Sequence, residues 1–286
     1  MKITINSVYA DIHIENEKTA GEILAALETW LAGSGHRLSG LSINGEAATA
    51  DTIDTFFGME IDGIETLDLK TSSLSELTIE SLLNLIQNID TWESADFEGK
   101  KCFAASWDKS PEAGILAEQI PDIYNWTVKT FSGEGENGAE LRSVCVERLR
   151  EFHDPVGEIN KTEYAVTEVC GRLEQLPLDI QTGKDFEAAR TISIFSAVAE
   201  KIFRIFNILK SDDYSAGEIT VNDMPITAYI GEFGAVLKEL LDAYKQGDTV
   251  LVGDLAEYEM APRLRALYSA MCSGDTAEIN NSIKGE

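Results

Sequence analysis

Residues 1–45, MKITINSVYADIHIENEKTAGEILAALETWLAGSGHRLSGLSING, decide the fold of this chain. Lys2–Val8 and Ala10–Glu15 alternate apolar and polar residues, the period of a strand with one covered face. Ile3, Ile5, Ile12 and Ile14 are its inward candidates. From Thr19 the period lengthens to that of a helix. Thr19 and Glu22 have the spacing of a capping box, in which each side chain satisfies an orphan backbone N–H of the first turn. Ile23, Leu24, Leu27, Trp30 and Leu31 then fall on one face, the stripe an amphipathic helix turns to a core. Gly33 and Gly35 supply a stop. Arg37–Ile43 reads as a third strand, ended by the turn pair Asn44-Gly45, and Ile64–Leu69 as a further one.

The order β-β-α-β-β, with one helix crossing a mixed sheet, resembles the β-grasp superfold of ubiquitin-like domains. The resemblance covers residues 1–73 and implies a docking surface or structural cap. Two chemistries of that superfold are excluded on residues. Ubiquitin-type modifiers end in Gly-Gly, and none closes this domain. Ferredoxin-type members need a cysteine cluster for iron and sulfur, and the first cysteine here is Cys102. No cofactor is expected.

After Ser73 the pattern turns helical and stays so. Ile79, Leu82, Leu83, Ile86 and Ile89 form a stripe, with Ser75 or Thr78 as caps. Trp92–Lys109 has no clear period and reads as a packed loop or strand pair. Ser110-Pro111-Glu112 is a helix start with proline in the first turn, and Pro121 restarts or kinks that helix. Further stripes run from Leu141 to Phe152, broken by Asp154-Pro155, and from Ile159 to Pro177. Phe186–Leu209 is the most apolar helix and is placed at the centre of the bundle. A loop over 212–222 precedes a helix opened by Asp223 and Pro225. Gly247-Asp248 then turns the chain into Leu251–Met271, an antiparallel hairpin. The expected architecture is therefore α+β: a β-grasp-like domain over 1–73, then an all-helical bundle of about six or seven helices over 74–286. The short spacing at Ser73 predicts that the two parts pack together.

Fifty acids face 23 bases, a net charge of −27. The excess is spread along the chain: 12 acids against 4 bases in 1–73, 38 against 19 in 74–286. A field of this sign repels phosphate backbones and anionic membrane surfaces and favours basic partners. Direct nucleic-acid binding and membrane docking are not expected. Met1-Lys2 runs straight into a strand pattern, with no signal-peptide core. The most apolar stretch contains Glu200, Lys201 and Arg204, so it reads as a buried helix rather than a span. Four scattered cysteines, without a C-x-x-C pair, read as small hydrophobes of a reducing compartment. These features point to a bacterial cytoplasm.

No motif brings a recognisable chemistry. Gly133, Gly135 and Gly138 match G-x-G-x-x-G, but Glu134 and Glu136 sit in the loop and no strand precedes it, so it reads as an acidic turn. His13, His36 and His153 have no metal ligand at i+3 or i+4. Trp92, Phe97, Phe103, Trp107, Tyr124 and Trp126 fall within one stretch and are candidates for an interaction surface. Asp254, Glu257 and Glu259 cluster around Tyr258 before Pro262. On a helix, Asp254 and Glu257 reach the same side. The reading that results is a non-enzymatic protein-binding adaptor or chaperone-like escort, which buries an amphipathic partner helix in a groove. The alternatives are an enzyme with a carboxylate-based, metal-assisted site and an acidic DNA mimic. A homodimer is compatible with the bundle, although no heptad seam marks one.

Overall fold

The computed structural model describes residues 1–12, 17–49, 52–133, 138–211 and 219–273. The fold is α+β, with a five-stranded mixed sheet followed by helices. The chain divides into two compact units, Met1–Val146 and Glu147–Glu286.

The first unit opens with β1 (Lys2–Ile5), β2 (Val8–Tyr9), α1 (Ala20–Gly33), β3 (His36–Ile43), β4 (Glu46–Ala47), a short α2 (Ile53–Phe57) and β5 (Thr66–Ser73). The sheet order is β2-β1-β5-β3-β4, with β1 parallel to β5 and the other pairs antiparallel. Ile3, Leu41, Ile43, Leu67 and Leu69 on one sheet face pack against Ala20, Ile23, Leu24 and Leu27 of α1. One helix on a mixed sheet, in this order, is the β-grasp-like arrangement expected from the sequence.

The hairpins differ from the expected strands. Asn6 and Ser7 have φ of 48° and 66°, a two-residue turn whose twist suits a hairpin. So β1 stops at Ile5, and the second strand is Val8–Tyr9 rather than Ala10–Glu15. Ala10–Ile12 lies outside any strand, and His13, Ile14 and Glu15 lie outside the described residues. Asn44 and Gly45 (φ 51° and 82°) make the expected turn and lead into β4. The Asn44 carboxamide braces it, accepting from the backbone N–H of Glu65 at 2.7 Å. At the start of α1 the Thr19 hydroxyl accepts from Glu22 N–H at 3.3 Å, and the Glu22 carboxylate accepts from Lys18 N–H rather than from Thr19.

The cap of α3 (Leu74–Ser94) is Ser73, not Ser75 or Thr78. Ser73 and Glu76 form a complete reciprocal capping box, so the helix begins where β5 ends. Phe97–Trp107, expected as loop or strands, is α4, capped by Asp96. Next come α5 (Pro111–Gln119) and α6 (Pro121–Phe131), which restarts at Pro121 as expected. The division between the units falls within α7 (Gly138–His153).

The second unit continues with α8 (Pro155–Asn160), α9 (Glu163–Gln181), α10 (Asp185–Ser211), the hairpin β6 (Thr220–Val221) and β7 (Met224–Pro225), and α11 (Ile226–Gln246). A last run holds α12 (Thr249–Asp254), a π-helical stretch over Leu255–Met260, and α13 (Ala261–Ser273). Among the described residues the region after Ser73 is thus cut into eleven α-helices, finer than its apolar stripes suggest. Pro177 does not end its helix, because α9 runs through it to Gln181. The core gathers Val169, Leu173, Phe195, Ile202, Phe233 and Leu264, with α10 contributing through its whole length.

Lys201 and Arg204, on that apolar helix, are held in an ion network. Arg204 grips the fully buried Glu151 through Nε at 3.2 Å and a second guanidinium nitrogen at 3.0 Å. Lys201 Nζ lies 3.2 Å from both Glu147 and Glu158. Burial alone would raise the Glu158 carboxyl. The hydrogen bonds from Lys161 and Lys201 outweigh it and hold the group below its ordinary range.

Candidate binding groove of the N-terminal domain

An apolar hollow of the first domain lies between the β1–β2 hairpin and α1. Ile5 comes from the end of β1, and Ala10, Asp11 and Ile12 follow β2. Ile23, Ala26, Leu27 and Trp30 line the flank of α1, and Glu17 stands before it. The volume is about 510 Å³, a size suited to several side chains. Local structure sets the shape. The tight Asn6-Ser7 turn ends the hairpin early, so β2 is only two residues long. Positions 23, 26, 27 and 30 recur at helical spacing on α1, Ile23 and Leu27 buried in the core and Ala26 and Trp30 exposed.

Trp30 is the wall of this groove. The sequence stripe placed it in the core with Leu27 and Leu31, but it is 64% exposed, while those two are buried. Its position lies at the margin of the stripe. Ile12 and Glu17 also line a second, open cleft of about 880 Å³ with Lys18, Glu22, Glu60 and Asp62. Glu60 is fixed beside Thr19 by a backbone bridge. The two hollows thus share Ile12 and Glu17 in their linings. The opposite sheet face is polar, and there the Thr4 hydroxyl donates to Asp68.

The aromatics expected at an interaction surface mostly pack inside the first unit. Trp107 is 3% exposed, with Tyr124 stacked at 5.8 Å and the edge of Phe131 at 5.4 Å. Phe103 meets Phe131 edge-on at 5.3 Å, and Trp92 lies 5.5 Å from it with the Lys100 ammonium 4.6 Å above its ring. This cluster ties α3, α4 and α6 together. Trp126 is half-buried, and Phe97, at 80% exposure, stands outside the cluster.

The acidic group stays dispersed along its helix. Asp254 is exposed at the end of α12. A hydrogen bond to Glu257, with the charges of Glu257 and Asp254, pushes the exposed Tyr258 phenol above its ordinary range. Glu259 accepts from Arg263 at 3.0 Å. Among the described residues no group of three or more His, Cys, Asp or Glu is placed to hold a metal ion. His36 Nδ1 lies 2.9 Å from the Ser34 carbonyl, and His153 is exposed at the end of α7. Gly133 takes a positive φ of 79° and Gly138 opens α7, while Glu134, Gly135 and Glu136 lie outside the described residues. Cys145 and Cys170 are buried as expected of small hydrophobes, but Cys102 is exposed. Burial pushes the Cys170 thiol up to about 11, against the pull of Arg265. Among the described residues no helix is long and apolar enough to cross a membrane.

Comparison with known proteins places the groove in a recurring domain. Residues 1–73 match the family described as TP0873 N-terminal domain, and residues 158–270 match a domain of unknown function, DUF8042. A protein of Treponema pallidum (strain Nichols), described as uncharacterized, is 25% identical over 275 residues, 96% of this chain and 98% of that one. No solved structure matches. The groove residues all lie within the first match, and the ion network straddles the start of the second.

Proposed function

We propose that this chain is a non-enzymatic, cytoplasmic adaptor or chaperone-like escort that holds an amphipathic segment of a protein partner against its N-terminal domain. The observation that carries this reading is Trp30, a large aromatic exposed at the wall of an apolar groove. Aromatic side chains beside a concave apolar surface contribute most per residue to protein association, because they bury large rigid area at low entropic cost. The net charge of −27 supports a basic partner and steers its approach. The test is affinity capture by the purified chain from lysate at low and high salt, repeated with Trp30→Ala. A protein that the wild type retains and Trp30→Ala loses, and that rebinds when purified, is the expected result. Equal retention by a folded Trp30→Ala variant, or no retained protein at either salt, removes the proposal.

A further inference from the structure

We infer that the polar face of the first domain's sheet is a second site, which takes a small zwitterionic acid with one ammonium and two carboxylates, the charge pattern of an acidic amino acid. This goes beyond the adaptor reading and does not depend on it. Side chains alternate along a strand, so Ile3, Leu41, Ile43, Leu67 and Leu69 turn to α1 and the residues between them to the other face. Register sets those residues side by side. Thr4 of β1 pairs with Asp68 of β5, and Asp68 with Ser42 of β3. Ser42 pairs in turn with Ala47 of β4. Two residues on, Lys70 stands opposite Gly40, and two residues back, Lys2 stands opposite Thr66. The face therefore carries a cation, a carboxylate and a cation in successive rows, each about 6.6 Å from the next. A hollow of about 460 Å³ lies over these rows, with Lys2, Thr4, Ser42, Asp68 and Lys70 in its lining. Gly40 and Ala47 also line it and bring little bulk. An added Cβ at Gly40 would stand 3.2 Å from the Lys70 Cβ and 3.3 Å from its Cδ, so the lysine stem lies against the β3 backbone there.

The Thr4 hydroxyl donates to one oxygen of Asp68, which fixes the carboxylate and leaves its second oxygen to a ligand. Among the described residues neither Lys2 nor Lys70 is in an ion pair. Two of the domain's four bases thus face one hollow, although acids outnumber bases around it. The rival occupants match less of this surface. A nucleotide or other polyanion would meet Asp68 at the centre and the chain's net −27 around it. A simple cation would meet the two lysines. A neutral polyol would pair with the hydroxyls and Asp68 but leave both ammoniums unmatched. A ligand with an ammonium and two carboxylates meets all three rows, its ammonium at Asp68 and its carboxylates at Lys2 and Lys70, through charge-assisted hydrogen bonds.

The test is titration of the full-length, isotope-labelled chain with glutamate, followed by backbone amide chemical shifts. Saturable shifts concentrated on Thr4, Gly40, Ser42, Asp68 and Lys70 are expected. Glutarate, which lacks the ammonium, and glutamine, which lacks the second carboxylate, should each bind at least about tenfold more weakly. Asp68→Asn keeps an oxygen for the Thr4 hydroxyl but loses the charge, and should weaken glutamate at least about tenfold. The double variant Lys2→Gln, Lys70→Gln should remove the preference for glutamate over glutamine. Lys109→Gln, outside the domain, controls for the loss of a positive charge and should bind as the wild type does. The amide spectrum itself establishes that each variant is folded. The site is overturned if glutamate produces no saturable shift on these strands, or if its shifts are confined to other elements. It is also overturned if glutarate or glutamine binds as tightly as glutamate, or if a folded Asp68→Asn variant binds glutamate as the wild type does.

Discussion

Glu151 is a carboxylate with no exposed surface, tolerable only because cations surround it. Arg204 grips both of its oxygens, and Arg148 and Lys201 stand at 3.6 and 4.0 Å. Removing one partner of a buried pair leaves an uncompensated charge, which costs more than the pair's own net worth. Arg204→Met is therefore expected to destabilise the protein by about 3 kcal/mol, the low end for such a break, since two cations remain. Arg172→Met removes an exposed i,i+4 pair with Glu168 and is expected to cost under about 0.5 kcal/mol. Urea unfolding followed by far-UV circular dichroism measures both. Similar losses for the two variants would mean that the network contributes no more than a surface pair. The network was not legible in the sequence beyond Lys201 and Arg204 interrupting an apolar helix. Their partners come from two other helices, and only the fold brings them within reach. Trp30 was misread for a related reason. Helical spacing gives its angle on α1, but not which residues come to cover it.

Helices here are shaped by how they pack as much as by their own sequence. Pro177 lacks the N–H that would bond one turn back, and its ring crowds that carbonyl, so a break was expected there. The helix nonetheless continues, with α12 lying against it. An added Cβ at Gly253 would stand 3.1 Å from the Pro177 Cβ, so a side chain here would press on the proline. Two effects then compete in Gly253→Ala. The helix gains about 1 kcal/mol in propensity, while overpacking against a rigid ring costs about 1–3 kcal/mol. A net loss is expected. In a Pro177→Gly background the Cβ contact is removed and the same substitution should become stabilising. Thermal unfolding of the four proteins decides this, and a gain in both backgrounds would show that the contact is slack. Ser73→Ala should cost about 1 kcal/mol by removing the capping box of α3, read in the same assay. The helices α1, α3, α10 and α11 were legible in the sequence, but the stripe read on α3 was partly wrong: Leu83 is 45% exposed, while Leu85, left out of it, is buried. Two-residue strands such as β2 and β4 were not legible, because alternation needs more residues than they have. In α4 only Trp107 is buried, so no stripe exists to be read. Near Pro262, the wider π turn over Leu255–Met260 relieves the crowding that proline imposes on a regular helix, a detail periodicity does not encode.

At the scale of the molecule, charge acts in two opposing ways. Fifty acids against 23 bases repel one another at neutral pH, and this self-repulsion opposes the folded state. Added salt screens it, so the melting temperature at pH 7 is expected to rise with sodium chloride. Mild acid has the same sense. The opposing effect resides in the second unit. The folded value of Glu158 lies below its ordinary 4.5. Its stabilisation is thus complete above about that pH and is lost as the pH falls through the depressed value. Protonation there removes the hydrogen bonds from Lys161 and Lys201 and weakens the network around Glu151. The four tryptophans, Trp30, Trp92, Trp107 and Trp126, all belong to the first unit, Met1–Val146. Tryptophan emission therefore reports one unit, and far-UV circular dichroism reports helices of both. On acid titration the dichroism should fall at higher pH than the emission shifts, and salt should not protect against that first loss, because the Glu158 carboxyl that takes up the proton is buried. Glu158→Gln, which cannot titrate, should move the dichroism transition toward the emission transition. Coincident acid transitions in the wild type would mean either that the two units unfold as one or that the network does not govern the second. The Glu158→Gln variant separates these. An unchanged midpoint removes the network's role, and a joint shift of both signals makes the two units a single cooperative structure.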